Sequence, residues 1–299
     1  MKTLILGGSG FVGTHMKERS PEWSNTEVVG SEIDIRDKET LISLVKNTKP
    51  DYVVNLASIT TVKETSLSPK DSYDISFYGT LNILEALRED GFAGTFLYVS
   101  SSEVYGHPDA SKLPLNEDSL LMPMSPYSVG KIAAELLCTY EHMVNNFNTI
   151  IARPFTHIGP GQSSRFSIAS FSNQISKIIQ SKQDPFIKVG DLSTTRDFTD
   201  VRDIVDAYWL LLKHGKSGEI YNVCSGKERK ISSLLDKLIY LSNQSIEVKI
   251  DPSRLRKAEQ QRILGNANKL EKATGWKPNI DYEDTLNDML SYWLQKDIS

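Results

Sequence analysis

The stretch Gly7-Gly8-Ser9-Gly10-Phe11-Val12-Gly13 constrains this chain more than any other. It follows the apolar run Thr3-Leu4-Ile5-Leu6, which reads as a buried strand ended by glycines. Residues without Cβ atoms at 7, 10 and 13 let the backbone turn tightly and approach a pyrophosphate closely. The helix that the turn opens offers unpaired N–H groups and a partial positive charge at its start. A strand before the turn and a helix after it is the context that dinucleotide binding demands. Gly7, Gly10, Phe11, Val12 and Gly13 are therefore expected to contact such a cofactor.

The strand–helix alternation continues beyond the turn. Strand-like runs recur at Glu27–Gly30, Tyr52–Leu56, Phe96–Val99 and Thr149–Ala152, separated by segments of helical spacing such as Leu81, Leu84, Glu85 and Arg88. Strands alternating with helices imply βαβ units and a doubly wound, mostly parallel α/β sheet of Rossmann type. The alternation breaks near Arg153-Pro154 and Gly159-Pro160-Gly161. Beyond it, strands 186–189 and 246–250 lie among helices at 165–182, 231–243 and 281–296. This divides the chain into a cofactor domain, 1–154, and a smaller α/β substrate lobe, 155–299, with 200–224 returning to the first. A cleft between them is the natural ligand site.

Three further features bear on chemistry. An acid at the end of the second strand suits a ribose 2′-hydroxyl, whereas an arginine suits a 2′-phosphate. Glu32 leans towards NAD, Arg36 leaves NADP open, and Asp34-Ile35 belongs beside the adenine. Tyr127 and Lys131 stand at i and i+4 on a predicted helix, so they share one face. An ammonium beside a phenol favours tyrosinate and makes it usable for acid–base work near neutrality. Ser100-Ser101-Ser102 follows the strand Phe96–Val99, at the carboxyl end where parallel sheets bind ligands, and a hydroxyl there can donate to a carbonyl oxygen as charge develops.

Composition excludes more than it assigns. With 34 Lys+Arg against 38 Asp+Glu, the net charge of −4 lacks the basic footprint of a nucleic-acid binder. No run approaches the ~20 apolar residues of a membrane span, and residues 1–13 carry too short an apolar run for a signal peptide. Two cysteines, Cys138 and Cys224, form neither a disulfide framework nor a metal motif, so a cytoplasmic, metal-free protein is expected.

Taken together, Gly7/Gly10/Gly13, Asp34-Ile35-Arg36-Asp37, Asn55-Leu56-Ala57-Ser58, Ser101 and Tyr127/Lys131 resemble the extended short-chain dehydrogenase/reductases acting on nucleotide sugars. Residues 153–162, 189–192, 196–203, 221–226 and 251–256 resemble the GDP-4-keto-6-deoxy-D-mannose reductases, also called GDP-D-rhamnose synthases. The resemblance implies reduction of a 4-keto GDP-sugar by NADPH or NADH, with Ser101, Tyr127 and Lys131 catalytic and Leu56 and Ala57 beside the cofactor. Glu103 takes the position of the base in the related sugar 4,6-dehydratases, which keeps a dehydratase or epimerase as alternatives. A non-enzymatic dinucleotide-binding scaffold would have no need of Ser101, Tyr127 and Lys131. Ser102, Glu103, Thr156 and His157 are expected to line the sugar pocket. A diphosphate needs fixed cations, for which Lys188, Arg196, Arg254 and Arg256 are candidates, with Arg165, Lys257 and Arg262 behind them. Thr156 and Ser76 stand where many relatives carry Asn. The resemblance also implies a homodimer paired through helices near 71–90 and 126–147.

Overall fold

The computed structural model describes residues 1–20, 27–59, 62–255 and 260–296. Six parallel strands form one sheet: β1 (Lys2–Leu6), β2 (Glu27–Ser31), β3 (Tyr52–Asn55), β4 (Thr95–Val99), β5 (Thr149–Pro154) and β10 (Ile220–Val223). Their spatial order is β10-β5-β4-β3-β1-β2. β1 thus lies between β2 and β3: the chain leaves β1 for β2 on one side, then crosses back to β3 on the other and continues outward through β4, β5 and β10. This is the doubly wound Rossmann-type arrangement expected from the alternation, and its switch point lies at the carboxyl ends of β1 and β3.

Period-two alternation sends side chains to two cores. Leu4 and Leu6 pack with Val53, Phe96 and Tyr98 beneath α2 (Lys38–Thr48), α5 (Thr80–Glu89) and α6 (Pro126–Asn145). Ile5, Val54, Leu97 and Ile150 face the other way, onto α1 (Phe11–Glu18) and α8 (Val201–His214). Burying one such side chain is worth about 1.5–3 kcal/mol, which ties both helix layers to strand register. β10 pairs with β5 in parallel, from Ile220 beside Ile151 to Val223 beside Pro154.

A third core joins α7 (Ser167–Ile179), α9 (Ile231–Ser242) and α11 (Tyr282–Lys296) around β7 (Phe186–Val189). Around it lie three two-stranded pairs: β7 with β12 (Glu247–Ile250), β8 (Thr195–Asp197) with β11 (Glu228–Lys230), and β6 (His157–Ile158) with β9 (Thr199–Asp200). The expected helix near 71–90 runs unbroken from Pro69 to Glu89, but its winding changes on the way. α4 (Pro69–Tyr73) passes through a π-helical segment, Asp74–Gly79, before α5 begins. Among the described residues, no helix is long and apolar enough to cross a membrane, and no group of His, Cys, Asp and Glu could hold a metal ion.

Candidate active site

The glycine turn ends β1 with Gly7 at φ +80°, a left-handed conformation open to glycine. A Cβ at Gly7 would come within 2.9 Å of the Ala57 amide nitrogen, and one at Gly13 within 2.6 Å of the Gly7 carbonyl oxygen. The turn is therefore closed against itself and against Leu56-Ala57 after β3. The first N–H groups of α1, at Phe11, Val12 and Gly13, have no partner within the helix. Gly10, the residue before α1, contributes no side-chain cap. A cradle of this kind, lacking side chains and rich in amide donors, fits a dinucleotide pyrophosphate.

At the second strand, Glu32 is exposed. Asp34 and Arg36 hold each other in a fork, with Nε to Oδ1 at 2.9 Å and Nη2 to Oδ2 at 2.5 Å. Arg36 holds the Asp34 carboxyl below its ordinary range. The Ile35 side chain is 2% exposed and packs against Gly79, within the core beneath α2 and α5.

β4 and α6 build the catalytic corner. Pro126 occupies the first turn of α6, and Ser125 and Ser128 form a reciprocal capping box across its N-terminus. This fixes Tyr127 and Lys131 in the first turns. A side-chain hydrogen bond joins Ser101 to Tyr127. Ser101 also accepts from the Glu103 amide at 3.2 Å, starting the 3₁₀ turn Ser102–Tyr105. Lys131 is 3% exposed, and its Nζ donates to the Val99 carbonyl at 2.8 Å.

The electrostatics differ from the sequence expectation. Burial pushes the Tyr127 phenol up to about 12, against the pull of its Ser101 hydrogen bond, and the Glu103 charge raises it further. Lys131 lies 5.7 Å from the Tyr127 ring centre and does not offset this. Burial likewise brings Lys131 down to about 8, opposed by Glu135 and Cys138. The phenol is thus poised as a proton donor, not as tyrosinate.

The expected substrate residues are only partly gathered. His157 stacks on Phe11 of the glycine turn, ring centres 6.1 Å apart, and burial keeps it neutral. Its Nδ1 is 3.0 Å from the Phe155 carbonyl, so it links the 155–162 loop to the cofactor cradle. Thr156 is half-buried, and its carbonyl accepts from the Thr199 amide at 3.0 Å. Ser102 is buried and Glu103 exposed.

The candidate cations are spread over several elements. Lys188 is exposed on β7, near Arg254, whose Nη1 donates to Ser170 at 3.2 Å and whose Nε lies 3.5 Å from Asp251. Arg196 donates to the Thr195 carbonyl at 2.8 Å, while Arg262 grips Glu228 through two bonds of 2.8 and 2.7 Å. Arg165 is exposed with its Nε 3.3 Å from Ser163. Arg256 and Lys257 lie outside the described residues.

Sequence reasoning missed what lies beneath the site. Arg153, which falls within the loop resemblance, is 2% exposed and paired with Glu135 of α6. The available signal was spacing: Glu135 continues the i, i+4 series of Tyr127 and Lys131.

Known proteins resemble this chain over nearly its whole length. The family described as GDP-mannose 4,6 dehydratase matches residues 18–289. GDP-6-deoxy-D-mannose reductase of Pseudomonas aeruginosa is 40% identical over 98% of this chain and 97% of its own length. A solved structure of RMD from Pseudomonas aeruginosa complexed with NADPH superposes with a TM-score of 0.93 at 40% identity, covering 99% of this chain and 100% of that one. GDP-6-deoxy-D-talose 4-dehydrogenase of Aggregatibacter actinomycetemcomitans is 28% identical over 90% of both chains. With most of its length matched at both levels, the chain belongs to the GDP-mannose 4,6-dehydratase family of extended short-chain dehydrogenase/reductases.

Proposed function

We propose that this protein reduces the C4 carbonyl of GDP-4-keto-6-deoxy-D-mannose to give GDP-D-rhamnose. The observation that carries the reading is the placing of Tyr127 against Ser101 at the carboxyl end of β4, with Lys131 one turn along α6 on the Val99 carbonyl, beside a dinucleotide cradle. The 40% identity to a GDP-6-deoxy-D-mannose reductase supports the sugar.

The glycine turn, with Leu56 and Ala57 behind it and Asp34 at its far end, would hold the cofactor, and Lys131 would hold its nicotinamide ribose. Lys131 spends one of its three N–H donors on Val99, leaving two for ribose hydroxyls. When bound, NAD(P)H supplies the hydride that goes to C4. Ser101 hydrogen-bonds the C4 oxygen, and Tyr127 gives that oxygen its proton as negative charge develops. A phenol held near 12 gives up its proton to an alkoxide readily, yet stays protonated between turnovers. Glu103, exposed at the same corner, adds its charge to the burial that raises the Tyr127 phenol. In the sugar pocket we place Ser102, Thr156 and His157, and on the diphosphate Lys188, Arg196, Arg254 and Arg256.

Three coarser readings accompany this one. The six-stranded sheet with residues 200–224 forms the cofactor domain, and 155–299 mainly the substrate lobe. A soluble nucleotide sugar and a nicotinamide cofactor assign the reaction to the cytoplasm, where its product would be an activated sugar for polysaccharide such as lipopolysaccharide. The chain pairs as a homodimer through α6 and the 69–89 region, whose outer faces expose Leu136, Tyr140, Met143 and Tyr78.

Supplying GDP-4-keto-6-deoxy-D-mannose with NADPH or NADH tests the reaction. Stoichiometric cofactor loss is expected, falling by at least ~10²-fold in Tyr127→Phe while cofactor binding persists. Dehydration of GDP-mannose without net cofactor consumption would replace the reductase by a dehydratase with Glu103 as base.

A further inference from the structure

Ser100, Glu135 and Arg153 form a cluster to which the proposed reduction assigns no part. All three are nearly inaccessible, at 2, 3 and 2% exposure. Arg153 grips Glu135 as a fork, Nε to Oε1 at 3.0 Å and Nη2 to Oε2 at 2.6 Å, and the Ser100 hydroxyl donates to Oε1. Arg153 Nη1 donates to the Tyr105 hydroxyl at 3.0 Å and to the Glu117 carbonyl at 3.1 Å. Tyr105 in turn donates to Asn222 of β10 at 2.7 Å.

An ion pair this deep adds little net stability, because desolvating both charges offsets their attraction. Its position explains it better. Along β4 and just past it, three consecutive residues face α6: Val99 accepts from Lys131, Ser100 donates to Glu135, and Ser101 bonds Tyr127. Along α6 the partners recur at i, i+4 and i+8, so one helix face meets one strand end through three rungs. Two rungs carry the proposed catalytic side chains and the third is the buried pair.

We propose that Glu135 is a positioning residue for the reduction: anchored by Arg153 and Ser100, it locks α6 against the end of β4 and sets a fixed negative charge one turn from Lys131, holding that ammonium charged and in register with Tyr127. Glu135 is the largest influence opposing the effect of burial on Lys131. The other titratable groups facing Lys131 are Tyr98 of β4, with its ring centre 5.2 Å away, and Tyr127 and Cys138 of α6 itself. Arg153 of β5 reaches it through Glu135, and the π-helical segment packed on α6 brings the neutral Ser76 against Gly130.

The role of Glu135 in catalysis rests on the reductase reading; its role in holding the Lys131 charge does not. Glu135→Gln keeps the shape and removes the charge. Two profiles are measured against pH on the full chain: NADPH affinity by fluorescence titration, and kcat/KM with the 4-keto sugar. Removing the anion and stranding Arg153 both favour loss of the Lys131 proton. The alkaline limb of each profile is therefore expected about one pH unit lower. In Glu135→Gln, kcat falls on the order of tenfold at pH 8, sugar KM stays within about twofold, and Glu135→Asp recovers part of the loss. If the lone arginine prevents folding, Glu135→Gln/Arg153→Gln carries the same test, since replacing both buried charges is milder than stranding one. Wild-type limbs in a folded variant would overturn the proposal. A wild-type enzyme that binds NADPH but leaves the sugar unreduced would instead sink the reductase reading, and the binding profile would still decide the role of Glu135.

Discussion

Lys131 donates from Nζ to the Val99 carbonyl at 2.8 Å, and its Nζ stands 5.7 Å from the centre of the Tyr127 ring. Two residues at i and i+4 share a helix face, which periodicity reveals. Whether the ammonium or burial dominates depends on depth, which periodicity does not. Lys131 points to the Val99 carbonyl and leaves the phenol to its surroundings, so Tyr127 rises to about 12 while Lys131 drops to about 8. A pH profile separates the two possibilities. A required lysine ammonium is present below its pKa and lost above it, so kcat/KM of the free enzyme is expected to fall above about pH 8. Tyr127 remains protonated throughout that range. Activity that climbs through this limb, as tyrosinate catalysis would, contradicts the assignment. Glu135 and Arg153 escaped notice because a buried ion pair looks, in one dimension, like any two charges.

Elements with strong periodicity were legible almost to the residue. Phe186–Val189 is a strand as its apolar run suggests, the strand expected at 246–250 spans Glu247–Ile250, and α7, α9 and α11 lie within the helical spans 165–182, 231–243 and 281–296. Short pairings such as β6 with β9 escaped, since two residues carry no period. The π-helical segment Asp74–Gly79 escaped too, because a single i→i+5 turn leaves no compositional mark. It matters because Ser76, buried at 4%, sits in it against Gly130 of α6, where an added Cβ would come within 3.0 Å of the Ser76 Cβ. The two elements therefore approach closely behind the catalytic helix. The outer side of α6 is a different surface: Leu136 is 65% and Met143 75% exposed. If these faces pair two chains, Leu136→Glu together with Met143→Glu should shift the sedimenting species from dimer to monomer, because unpaired charges at an interface centre are costly. An unchanged dimer would place the interface elsewhere.

For the whole molecule, a net charge of −4 over 299 residues hides a local arrangement. Much of the cation supply is engaged within the protein: Arg36 with Asp34, Arg153 with Glu135, Arg262 with Glu228. Lys188 and Arg196, both candidates for the diphosphate, lie on β7 and β8, in separate two-stranded pairs. The segment from 260 onwards bridges the two parts of the chain, with the Gln260 amide donating to the Gly106 carbonyl next to the catalytic corner and Leu115 bridging to Gly265. The cofactor turn was legible because glycines between a strand and a helix carry their own signature. The substrate side was not, because its loops take shape only through contacts distant in sequence. The proposed function stands or falls on hydride delivery to C4 of a 4-keto GDP-sugar, and isotope transfer reads that step itself. With NADPH dideuterated at the nicotinamide C4 and GDP-4-keto-6-deoxy-D-mannose, the product should carry a single deuterium, at C4 of the sugar. Product without deuterium, deuterium at another sugar carbon, or no product at all would contradict it.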